Sequence, residues 1–142
     1  MADGASRPVL HEQSFWRPEE VTVRVALERV LNITLWVLKV LLALLFLFTG
    51  VGKWNPKALF WIELFDRIGI GQWARYLTGG LEITCAILLL IPRTAAVAAT
   101  ILSATMVGAF LIHLFILRDG FAAFFPAFTF VLLALVVWKR SR

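Results

Sequence analysis

The chain has 142 residues, 61% of them hydrophobic, with a formal net charge of +5 and a single cysteine. That apolar fraction exceeds the ~45–50% of soluble domains, and charge thins out over the C-terminal two-thirds, which is the composition of a polytopic membrane protein and not of a nucleic-acid binder. One thiol makes no intrachain disulfide, no C-x-x-C pair is present for dithiol exchange or zinc, and the four-helix thiol–quinone oxidoreductases, which need cysteine pairs, are removed.

Residues 1–17 mix Gly, Ser, Pro and both charge signs without periodicity, and are expected to form a flexible tail. They do not resemble a cleavable signal peptide, and His11 reads as an ordinary exposed histidine. Pro18-Glu19-Glu20 is a helix start: proline suits the first turn and acids suit the positive end of the helix dipole. Residues 18–31 then form an amphipathic lead-in, with Val23, Ala26, Leu27 and Val30 on one stripe. It either lies on the membrane surface or continues into the first span.

The first span is expected over residues 32–54, long enough for the ~20 residues that a bilayer core requires. Lys39 is its anomaly, on one face with Ala43, Phe46, Gly50 and Lys53. Lys39 either snorkels to the nearer headgroups or pairs inside the bundle. Asn55-Pro56 stops this helix and starts another that is too short to span; Phe60, Trp61 and Phe65 suit an interfacial or re-entrant helix ended by Gly69 and Gly71. The second span is expected over residues 72–91, the third over 94–117 and the last over 121–138, with a basic tail at 139–142. The third is rich in small residues and should sit centrally in the packing. Pro126 kinks the last, whose phenylalanines face lipid or packing surface.

Glu82 stands near the middle of the second span, where a lone acid is costly and demands a partner or a proton. Thr78, Gly79, Cys85 and Ala86, at i−4, i−3, i+3 and i+4, give it a small, weakly polar stripe on which another helix can approach closely. Four spans put both termini on one side. Counting Lys and Arg apart from Lys39, the termini and the second loop carry about eight, against about five opposite, so both termini are expected in the cytoplasm. On that topology Glu82 lies ~13 Å and Lys39 ~10 Å from the cytoplasmic ends of their helices. Depth therefore favours Lys39 as the partner of Glu82, with Lys53 and His113 as a second polar layer from which a long lysine can reach down. Two readings stay open: an ion pair that fixes helix register, or a polar pocket for a headgroup, quinone or other amphiphile. His113 alone makes a weak haem site.

The run Thr49-Gly50-Val51-Gly52-Lys53-Trp54, then Gly79-Gly80-Leu81-Glu82 with Leu88-Leu89-Leu90-Ile91-Pro92, then Met106-Val107-Gly108-Ala109 with His113-Leu114, resembles the DoxX and DoxX-like membrane proteins. Their pattern covers about residues 37–133 of the chain. The resemblance implies a four-span bundle in which Lys39, Lys53, Glu82 and His113 hold the recurrent polar places. It also implies association with quinone-linked or redox-stress oxidoreductase complexes as a small membrane subunit.

The expected protein is all-α: an integral membrane four-helix bundle with an interfacial helix between spans 1 and 2 and an N-terminal amphipathic lead-in. Its polar pocket is expected to hold Lys39, Lys53, Glu82 and His113, lined by Gly50, Thr78, Gly79, Met106 and Ala109, with no metal. The expected role is an accessory or quinone- or amphiphile-binding subunit of a membrane oxidoreductase system in the inner or plasma membrane, without a complete catalytic site. Protein subunits or further copies of the chain would be its partners, and a quinone or lipid-like molecule its ligand. The alternatives are a structural or assembly protein whose charges only register the helices and, last, a small-molecule or proton carrier.

Overall fold

The computed structural model describes residues 17–140, and among these it contains helices and no strand. The tail expected at residues 1–17 lies outside this range except for Arg17, and so do His11 and the last two residues. The helices are α1 (Pro18–Trp54), α2 (Leu59–Ile68), α3 (Gln72–Leu90), α4 (Ala95–Leu111), continued by a π-helical segment (Ile112–Ile116), and α5 (Gly120–Arg140). Four of them are long and apolar enough to cross a membrane. α2, at 10 residues, is too short to do so and stands between the first two of them in chain order.

The lead-in and first span are one helix: α1 is unbroken from Pro18–Trp54. The described residues divide into two units, one up to Thr34 and one from Leu35 onward. In the first, the side chains described from Glu19 onward are all exposed, and the Thr34 hydroxyl bonds back to the Val30 carbonyl at 2.8 Å. The packing below concerns the second unit.

The turns follow from local chemistry. The Asn55 side chain accepts the Lys57 N–H at 2.9 Å, forming an Asx turn that carries the chain past Pro56, so α2 begins at Leu59 and not at the proline. Gly69, at φ 79°, ends α2 in the left-handed conformation, and its N–H returns to the Phe65 carbonyl. Gln72 ties the corner by donating to the Ile62 carbonyl at 3.0 Å and to Asp66 at 2.7 Å. The Thr94 hydroxyl closes the α3–α4 turn on the Leu88 carbonyl at 2.8 Å.

The core joins Leu42, Ala43 and Phe46 of α1, Cys85, Ala86 and Leu89 of α3, Ala98, Ala99, Leu102 and Met106 of α4, and Leu133 and Val136 of α5. α4 packs against both α3 and α5, as its small residues led one to expect. Lipid tails are as apolar as leucine, so close van der Waals fit holds such helices together, and alanines provide the close approach. The outward faces carry exposed Trp36, Phe48, Leu77, Ile87, Phe121 and Phe124, the inverse of a soluble surface.

Candidate functional site

The site grows from a crossing of two glycines. A β-carbon on Gly50 of α1 would meet Ile83 at 2.8 Å and the Gly79 carbonyl oxygen at 2.9 Å. One on Gly79 of α3 would meet Trp54 at 2.8 Å and the Gly50 carbonyl oxygen at 3.0 Å. The two backbones touch because neither residue has a side chain. The helices run antiparallel here, since Thr49 reaches Glu82 while the Lys53 carbonyl reaches Arg75.

This crossing lets the stem of Lys53 pass over Gly79 to reach Glu82, whose Oε1 it meets at 2.5 Å. The second carboxylate oxygen accepts a hydrogen bond from the Thr49 hydroxyl at 3.1 Å. Lys53 is 8% and Glu82 2% exposed, so the pair is buried. The Lys53 ammonium also lies 4.8 Å from the centre of the Trp61 ring, contributed by α2. Trp61 gets there because Gly52 is bare: a β-carbon on Gly52 would stand 2.7 Å from the indole nitrogen. The cation thus meets one acid and one aromatic face, and the acid in turn meets one hydroxyl, as desolvation of a buried charge pair requires.

A second buried cation holds the end of α1. Arg75 donates to the Lys53 carbonyl at 2.7 Å, the Asn55 carbonyl at 3.2 Å and the Tyr76 hydroxyl at 2.8 Å. The Lys53 carbonyl belongs to the last turn of α1, where carbonyls lack intrahelical donors and a positive charge suits the dipole, while the Asn55 carbonyl just beyond it also accepts the Ala58 N–H at 3.3 Å. The sequence reading missed Arg75, since an arginine in the first turn of a span resembles an ordinary boundary residue. Thr49 and Trp61 were missed as ligands of the pair as well; Thr49 does fall one turn before Lys53 on the same face.

Beside the ion pair lies a cavity of about 360 Å³. All four spans and α2 contribute to its wall, which is apolar apart from Lys53, Glu82, Thr49, Thr78, Thr105 and His113. Thr78 and Thr105 spend their hydroxyls on their own helices, on the Ala74 carbonyl at 2.8 Å and the Ile101 carbonyl at 3.0 Å. His113 comes from the π-helical segment, a local widening that recurs at functional sites. Its Nδ1 is buried with no partner, and neither ring nitrogen bonds to another described residue.

The structure therefore brings Lys53, Glu82, His113, Thr78, Met106 and Ala109 to one cavity wall. Gly50 and Gly79, expected on that wall, lie in the helix crossing beneath it. Lys39 is not part of the cluster: it is half-buried, off the cavity wall, and makes no ion pair or hydrogen bond with any described residue. The expected Lys39–Glu82 pair is replaced by Lys53–Glu82. Depth counting misled because α1 and α3 do not end level. Trp54, the last residue of α1, packs on Tyr76 and Gly79, so α3 extends past the end of α1 by more than a turn.

Among protein-family models, that of the DoxX-like family matches residues 37–137. The chain belongs to the DoxX-like family. The match takes in every residue of the cavity wall and of the ion pair. No curated protein and no solved structure matches this DoxX-like chain. Like its sequence, its fold is that of a multi-pass membrane protein. Among the described residues there is no group of three His, Cys, Asp or Glu side chains able to hold a metal ion, and Cys85, buried in the core, has no second thiol.

Proposed function

We propose that this DoxX-like protein is an accessory, amphiphile-binding subunit of a membrane oxidoreductase system, with a quinone or lipid-like molecule as its ligand. The observation that carries the reading is the 360 Å³ cavity, whose apolar wall ends in a buried Lys53–Glu82 pair and an unpartnered His113. Concave, mostly apolar sites with a few convergent polar groups are the usual form of small-molecule sites. On this reading partner subunits would supply the redox chemistry of the system. The charge count supports a cytoplasmic location for both termini, and we take the inner or plasma membrane as the host.

Mild extraction from native membranes followed by native mass spectrometry tests this. The expected result is a retained amphiphile or a copurifying subunit. A solitary chain that retains neither would overturn it.

The Gly50–Gly79 crossing favours a second reading, in which the ion pair only pins α1 to α3. On that reading Glu82→Gln and His113→Ala change protein abundance and any redox phenotype in strict proportion. A ligand-binding role predicts a phenotype at unchanged abundance for His113→Ala.

A further inference from the structure

We infer that the cavity selects an electrically neutral, oxygen-bearing aromatic of about two fused rings, and rejects anionic amphiphiles such as fatty acids and phospholipid headgroups. The inference rests on the ligand-binding reading above and adds the charge and size of the ligand.

Charge is decided by the ion pair. Both oxygens of Glu82 are engaged, one by Lys53 and one by Thr49, and the ammonium is further covered by Trp61. The polar end of the cavity is thus already neutral. An incoming carboxylate or phosphate would have to take Lys53 from Glu82 and leave two buried anions sharing one cation. An incoming ammonium would meet Lys53. A carbonyl or hydroxyl oxygen meets neither penalty and can bond to His113, whose imidazole makes no hydrogen bond with the described residues.

Size follows from the volume. An apolar cavity of roughly 150 Å³ holds one benzene ring, and this one is about 360 Å³. Phe46, Trp61, Phe65, Met106 and Phe125 line it, a set of flat and polarisable faces suited to a planar occupant.

Gly108 supplies the control. It lies on the cavity wall, and a β-carbon there would meet no atom within 4 Å, so a larger side chain has room at this position and is expected to take up cavity space without straining the helix. The probes are radiolabelled menadione (a neutral bicyclic dione) and radiolabelled dodecanoate. Each is titrated onto the full chain in phosphatidylcholine nanodiscs, with monodispersity on gel filtration as the check on folding. Wild type should bind menadione saturably, Gly108→Leu should lose at least tenfold in affinity, and dodecanoate should bind no better than to empty nanodiscs. His113→Phe, which keeps the ring volume, should lose about fivefold, the equivalent of one hydrogen bond.

Menadione binding that is unchanged in both variants would overturn the assignment to this cavity. Saturable dodecanoate binding that disappears in Gly108→Leu would overturn the charge selectivity while leaving an amphiphile site in place. Binding of neither probe would overturn the inference together with the ligand-binding reading.

Discussion

Gly50 and Gly79 face each other across the α1–α3 crossing so closely that a β-carbon on either would fall within 3.0 Å of the other's carbonyl oxygen. Backbone does not yield as a side-chain tip does. Gly50→Ala and Gly79→Ala should each destabilise the bundle by about 1–3 kcal/mol, the usual range for overpacking. Gly80→Ala, whose nearest neighbour is the Trp54 ring at 3.7 Å, and Gly108→Ala should be nearly neutral. Thermal unfolding in detergent micelles reads the difference, and equal melting temperatures for Gly50→Ala and Gly108→Ala would show that the contact is not tight.

The Lys53–Glu82 pair should behave as a unit. Glu82→Gln or Lys53→Met alone leaves one buried charge uncompensated, for which roughly 3–5 kcal/mol of destabilisation is expected. The double substitution should recover most of that loss, because a neutral pair of similar volume needs no counter-charge. A double-mutant cycle on unfolding free energies measures the coupling. Lys39→Gln, away from the pair, should show none with Glu82→Gln.

Arg75 should prove as important as either member of the pair. Arg75→Lys keeps the charge but not the fork that reaches two carbonyls and the Tyr76 hydroxyl, so about 1–3 kcal/mol should be lost. Hydrogen exchange would locate the loss: amides around Asn55 and the start of α2 should exchange faster than in wild type, while those of α4 stay protected.

Trp61 joins α2 to the buried cation. Trp61→Ala removes the ring from the ammonium and opens that side of the cavity, so α2 should become accessible to limited proteolysis. Trp61→Phe keeps a face over Lys53 and should stay largely resistant. Identical proteolysis of the two variants would mean that α2 is held by its glycine and Gln72 corner alone.

The proposed topology can be read with one thiol at a time. In a Cys85→Ala background, Arg118→Cys should react with an impermeant maleimide from outside the cell, and Arg93→Cys only after the membrane is opened. The reverse pattern would invert the assigned orientation. Cys85 itself, 3% exposed, should stay unlabelled in the folded protein.

The spans were legible because long apolar stretches separated by Pro-Arg and Asp-Gly turns have few other solutions in lipid. The short α2 was legible too, from its length and its aromatic residues. The identity of the Glu82 partner was not. Residue counting along each helix gives depth only if the helix ends are level, and the offset between α1 and α3 is set by the Gly50–Gly79 contact, a tertiary fact. Lys53 looked like a boundary lysine for that reason, and Lys39 like the better partner. Gly50 and Gly79 were recognised as small but assigned to a wall and not to a crossing, a distinction that spacing alone does not carry. The π-helical segment had no sequence sign: Ile112-His113-Leu114-Phe115-Ile116 reads as ordinary helix, and only the structure shows that His113 projects from a widened turn.

The order of residues along the chain bears on how the protein is made. Lys53 precedes Glu82 by 29 residues, so α1 is synthesised and available in the bilayer before the acid leaves the ribosome. The costly carboxylate thus arrives with its counter-ion already waiting. A circular permutant in which α3 is threaded first would reverse that sequence of events, leaving Glu82 bare in hydrocarbon until α1 followed.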